Sequence, residues 1–130
     1  MLVPLFFLYT LLMASIVIVV GLFNVNSPIH DRVVDHWAGM YLRIPPVRYT
    51  VEGLDLIDPD QRYVVASNHL SGFDIPLLFR VLPLHGRFLS KKEIFRIPLV
   101  GRAMRTIGIV EIDRDKHGSS RRAINEGVKV

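Results

Sequence analysis

A histidine and an aspartate five positions apart, His69 and Asp74, are the residues of this chain best suited to acid–base chemistry. They lie in the stretch Asn68-His69-Leu70-Ser71-Gly72-Phe73-Asp74. In a regular helix, five positions rotate by about 140°, so the two side chains would face different ways. They meet only where the chain between them turns, and Ser71-Gly72 supplies turn-forming residues. A carboxylate accepting from one ring nitrogen fixes the imidazole tautomer and leaves the other nitrogen as a base. An imidazole, with its unperturbed value of ~6.5, is suited to take a hydroxyl proton at neutral pH. A blander reading fits the same residues: a loop histidine beside an aspartate that caps the next helix. The sequence has no cysteine, which excludes a thiolate nucleophile, a disulfide framework and a thiolate metal site. Its histidines are scattered without carboxylates at ligand spacing, so no metal is expected.

Those two residues need elements to hold them. Arg62 to Ser67 (RYVVAS) is β-branched and aromatic and is expected to be a strand, with the loop Asn68 to Phe73 after it. Ile75 to Val81 is expected to be a short helix, with Pro76 tolerated in its first turn. A loop between a strand and a helix is where α/β sheets commonly hold their sites. Before it, Val47 to Glu52 alternates apolar and polar residues as a strand would, and Gly53 to Gln61 reads as a turn. After it, strands are expected over Arg87 to Ser90 and Ile107 to Ile112, with helices over Pro98 to Thr106 and Ser119 to Glu126. Strands alternating with helices imply an α/β layer architecture.

The N-terminal third of the chain concerns a membrane. Met1 to Phe23 carries only Tyr9, Thr10 and Ser15 as polar side chains. Roughly 20 such residues span a hydrocarbon core. With no basic residue before it and a poor cleavage site after it, residues 1–23 read as a retained transmembrane helix, not a removed signal. Residues 24–46 form a linker and an amphipathic helix in which Val33, Val34, Trp37, Met40, Tyr41 and Ile44 recur at helical spacing. That helix suits the membrane interface, and equally a place against the domain core. The third segment is residues 47–130.

Charge obeys the same division. Met1 to His30 carries no Lys, Arg, Asp or Glu, Asp31 to Asp74 has 4 basic and 7 acidic residues, and Ile75 to Val130 has 12 basic and 5 acidic. A basic segment joined to an apolar leader suggests anionic lipid or a phosphate-bearing substrate before it suggests nucleic acid. The basic stretches also lack interleaved aromatics, and no nucleic-acid partner is expected. Arg32, Arg43 and Arg48 on the C-terminal side of the span place the rest of the chain in the cytoplasm.

Four ordered motifs carry a family resemblance. Ser67 to Asp74 (SNHLSGFD) resembles the histidine-x4-aspartate block of the glycerophospholipid acyltransferases, specifically the 1-acyl-glycerol-3-phosphate acyltransferase family. Phe88 to Phe95 (FLSKKEIF) resembles that family's Lys-Lys-Glu stretch, and Ile97 to Gly101 its Pro-x-x-Gly turn. Gly108 to Arg114 (GIVEIDR) resembles the second block, with Glu111 where phenylalanine usually stands. The resemblance covers about Val47 to Val130, and a membrane leader is usual in bacterial members.

It implies an N-terminal membrane helix and amphipathic helix, then the first half of a mixed sheet flanked by helices. It also implies acyl transfer from acyl-coenzyme A or acyl-carrier protein to the free hydroxyl of a lysophosphatidate at the bacterial inner membrane, with no cofactor. His69 would be the general base and Asp74 its orienting carboxylate. Arg114 would bind substrate phosphate, with Lys91, Lys92 and Asn68 beside the substrate. Arg114 equally fits an ion pair with Asp113 or Asp115, and Lys91 and Lys92 a solvated charge pair. The absence of a cysteine and of a Gly-x-Ser-x-Gly elbow agrees with direct transfer. The family's third block, Phe-Pro-Glu-Gly-Thr-Arg, is absent, so the chain is expected to be the N-terminal part of a longer protein and inactive alone. Acylation of another lyso-lipid, or lipid binding without catalysis, are the alternatives.

Overall fold

A computed structural model describes residues 2–44, 46–61, 63–82 and 88–113. The 22 residues Leu2–Phe23 form helix α1. Its hydroxyls are satisfied within the helix: Thr10 donates to the Phe6 carbonyl and Ser15 to the Leu11 carbonyl, both at 2.8 Å. A polar group answered by its own turn can lie in an apolar medium at little cost. By length and composition, Val3–Phe23 is the one helix among the described residues able to cross a membrane. After a turn in which the Ser27 hydroxyl accepts from the Ile29 N–H, helix α2 runs over Ile29–Arg43.

The chain falls into two compact units, Met1–Val33 with Arg87–Val130, and Val34–Gly86. They group the chain by packing, whereas the three segments read from the sequence reflect composition.

In the first unit, α1 packs on α5 (Val100–Thr106), where Ala14, Val17 and Ala103 are buried beneath Ile18, Val33 and Ile107. Gly21 permits that approach: a Cβ there would lie 2.4 Å from Thr106 Cγ2. The three-residue strands β1 (Leu89–Lys91) and β2 (Val110–Ile112) pair in parallel, Ser90 opposite Glu111. A parallel pair needs a long crossover, and α4 (Lys92–Phe95) and α5 provide it. At the α4–α5 corner a Cβ on Gly101 would sit 2.0 Å from the Phe95 carbonyl oxygen, and Leu99 adopts φ 63° to make the bend.

In the second unit, the aromatic face of α2 meets α3 (Asp74–Val81): Trp37 stands edge-on to Phe79 at 6.3 Å and beside Tyr41 at 4.9 Å. Two expected strands are absent: Val47 to Glu52 and Tyr63 to Ser67 form no strand among the described residues, and Leu54–Leu56 is a single 3-10 turn. Alternation prepares a segment for a sheet, but a ladder forms only with a neighbour, and Val64 remains 81% exposed. The architecture is α/β, with helices and a small parallel sheet. The helix expected over Ser119 to Glu126 lies outside the described residues.

Candidate active site

The turn between His69 and Asp74 is organised around one carboxylate oxygen. Asp74 Oδ2 accepts from the Leu70 N–H at 2.7 Å, the Ser71 N–H at 2.8 Å and His69 Nδ1 at 2.9 Å. The Ser71 hydroxyl accepts from the Phe73 N–H at 3.2 Å, and the Ser71 carbonyl from the Asp74 N–H at 3.2 Å, closing the bend. Gly72 has open space where a Cβ would stand, so the tightness of the turn comes from these bonds and not from a close approach at that position.

Asp74 is the first residue of α3, and the cap position belongs to Phe73, whose side chain makes no capping bond. The aspartate therefore organises the loop before the helix, which differs from the capping role its position suggests. α3 supplies a fixed point for it: Pro76 in the first turn is fully buried.

The electrostatics result from this geometry. The Ser71 amide, then the His69 bond, hold the Asp74 carboxyl below its ordinary value of 3.8. An ionised carboxylate only accepts, so the proton on the shared His69 bond belongs to Nδ1. The lone pair is then on Nε2. The His69 side chain is 59% exposed and that of Asp74 27%, so the ring is open to a reactant while its orienting partner is partly covered. The pair can take a proton from an alcohol brought to Nε2 and hold the resulting imidazolium against a negative charge.

The other residues singled out in the sequence are distributed differently. Asn68 is exposed, one position before the histidine. Lys91 ends β1 and is exposed. Lys92 is not a free cation: its ammonium donates to Asp113 Oδ1 at 2.8 Å, with both side chains three-quarters covered. Asp113, one of the two carboxylates considered for Arg114, is engaged by that bond. Arg114 itself lies outside the described residues. Lys91 and Lys92 belong to the Met1–Val33 and Arg87–Val130 unit, while Asn68, His69 and Asp74 belong to Val34–Gly86. Among the described residues, no group of three His, Cys, Asp or Glu side chains is placed to hold a metal ion. Sequence reasoning missed the amides of Leu70 and Ser71. Their only signal is position, four and three residues before an aspartate.

Residues 48–130 match the Acyltransferase family model. The 1-acyl-sn-glycerol-3-phosphate acyltransferase alpha of Ovis aries is 34% identical over 80 residues, 62% of this chain and 28% of that protein. The Homo sapiens protein of the same name is 32% identical over 80 residues, with the same shares of both chains, 62% and 28%. The chloroplastic 1-acyl-sn-glycerol-3-phosphate acyltransferase LPAT1 of Arabidopsis thaliana is 36% identical over 86 residues, 65% of this chain and 24% of that protein. The matched part thus spans about a quarter of the length of these curated relatives. No solved structure gives a significant match.

Proposed function

We propose, from the premise that this chain belongs to the acyltransferase family, that it contributes the catalytic base of a membrane-bound lysophosphatidate acyltransferase. The observation that carries this reading is the imidazole whose Nδ1 is tied to Asp74 while the ring stays open to solvent. His69 Nε2 takes the proton of the free hydroxyl on 1-acyl-glycerol-3-phosphate. The hydroxyl oxygen attacks the carbonyl carbon of an acyl thioester, from acyl-coenzyme A or acyl-carrier protein. The C–S bond breaks, and the sulfur leaves as the thiol with the proton from the imidazolium. The product is phosphatidate, and the cycle returns His69 to its starting state without a cofactor. Asp74 holds the ring and offsets the positive charge that forms on it.

Arg114 and Lys91 are assigned to the phosphate-bearing substrates, since a guanidinium matches phosphate with two parallel bonds. Asn68 stands beside the reacting hydroxyl. Lys92 acts at one remove, because its ammonium is committed to Asp113. The apolar Val3–Phe23 helix anchors the protein in a membrane, with the arginines after it favouring the cytoplasmic side of a bacterial inner membrane. The 130-residue stretch expressed alone is expected to be inactive. Its described sheet consists of two three-residue strands, and Tyr63 to Ser67 has no strand partner among the described residues.

The test is acyl transfer by membranes carrying the protein at its full natural length. Labelled oleoyl-coenzyme A or oleoyl-carrier protein is offered with lysophosphatidate, lysophosphatidylcholine or no acceptor. Labelled phosphatidate from lysophosphatidate supports the reading. Transfer only to the other lyso-lipid reassigns the acceptor, and no transfer to either favours lipid binding without catalysis.

A further inference from the structure

The loop that carries His69 is exposed from Asn68 to Gly72, and among the described residues Asp74 ties it to the start of α3. Whatever fixes α3 therefore fixes the base. α3 is short, and its contacts with α2 come from the tips of long side chains. Trp37 stands at 84° to the Phe79 ring, 6.3 Å away. One Arg80 guanidinium nitrogen donates to both oxygens of Asp35. The Asp35 carboxylate holds the Arg80 guanidinium charged.

We propose that Asp35 and Trp37 of α2 are positioning residues for the His69–Asp74 pair, acting through Arg80 and Phe79 of α3. The inference rests on the reading of His69 as base. Two magnitudes decide that the contact sets position more than stability. The Arg80 and Asp35 side chains are 45% and 52% exposed, and an ion pair that open contributes little to folding. A displacement of about 1 Å at a reacting group, however, can lower a rate about a hundredfold. Phe79 and Arg80 lie five and six residues beyond Asp74, about 8 Å along the same helix, so a tilt at that end is delivered to the carboxylate. Two latches of different chemistry, one aromatic and one ionic, act on neighbouring residues. Together they fix both the distance of α3 from α2 and its rotation.

The experiment measures lysophosphatidate acylation by the full-length protein in membranes. The variants are Asp35→Asn, Trp37→Leu, the charge exchange Asp35→Arg with Arg80→Asp, and His69→Ala as reference. The expected result for Asp35→Asn and Trp37→Leu is a fall in kcat of roughly tenfold, with KM for the acyl donor nearly unchanged. The melting temperature of Asp35→Asn should stay within about 2 °C of wild type, because the ion pair is exposed. The charge exchange should regain most of the lost kcat, which a general loss of folding would not allow. An Asp35→Asn protein with wild-type kcat, or a charge exchange no better than Asp35→Asn, overturns the inference while His69→Ala remains inactive. If His69→Ala is itself fully active, the reading of the base fails instead. Should Trp37→Leu not fold, Asp35→Asn and the charge exchange decide the inference on their own.

Discussion

Replacing Asp74 by asparagine and, separately, by alanine distinguishes its charge from its shape. All three donors, the Leu70 and Ser71 amides and the His69 ring, converge on the single oxygen Oδ2. An asparagine at position 74 would turn its carbonyl oxygen toward those two fixed N–H groups, because its amino group would face them donor to donor. The ring Nδ1 then keeps an acceptor and the same tautomer, and only the negative charge is lost. A charge-assisted bond is about twice as strong as a neutral one, so the expected loss in kcat for Asp74→Asn is on the order of tenfold. Asp74→Ala removes all three bonds at once and releases the ring. Its expected loss approaches that of removing the base, about 10²- to 10⁴-fold. The assay is the initial rate of lysophosphatidate acylation by the full-length protein at saturating substrate. Equal losses for asparagine and alanine would refute the reasoning, since the oxygen would then not be holding the tautomer.

Further predictions concern the same loop and the packing around it. The lowered Asp74 carboxyl keeps its bonds in place above its ordinary value of 3.8, and they are lost as pH falls through the lowered one. Amide hydrogen exchange at Leu70 and Ser71 should therefore, after correction for the intrinsic rate, stay protected at neutral pH and lose protection only in strong acid. Asp74→Ala should abolish that protection at every pH. Gly101→Ala drives a methyl into the Phe95 carbonyl and should destabilise the protein by about 1–3 kcal/mol, read as a fall in melting temperature. Lys92→Gln leaves the covered Asp113 carboxylate without its cation and should cost about 1–3 kcal/mol of stability. Its effect on KM should be smaller than that of Lys91→Gln, whose exposed side chain is assigned to substrate.

The part of the site that can be read from the letters is the part that depends on local chain geometry. A turn at Ser71-Gly72 is a local property, and it brings His69 and Asp74 within 2.9 Å of each other. Helices with apolar periodicity came within a residue or two of their expected bounds: α3 begins at Asp74 against an expected Ile75, and α5 at Val100 against Pro98. The second strand, expected over Ile107 to Ile112, occupies Val110–Ile112. Non-local pairing is where the reading fails. Alternation at Val47 to Glu52 says which face a strand would present but not whether a neighbour exists to accept its hydrogen bonds. The Lys92–Asp113 pair joins residues 21 apart, and no spacing rule selects Asp113 over the other carboxylates nearby. The four-residue α4 is too short for any periodicity to register. Backbone amides, which supply two of the three bonds on Asp74, carry no letter of their own.

The claim on which the mechanism depends is that the imidazole at position 69 removes the acceptor's proton. Its most direct test is single-turnover acylation of lysophosphatidate by the full-length His69→Ala protein, with circular dichroism confirming an unchanged fold. The account predicts a rate reduced about 10²- to 10⁴-fold. A wild-type burst of phosphatidate from that variant would contradict it.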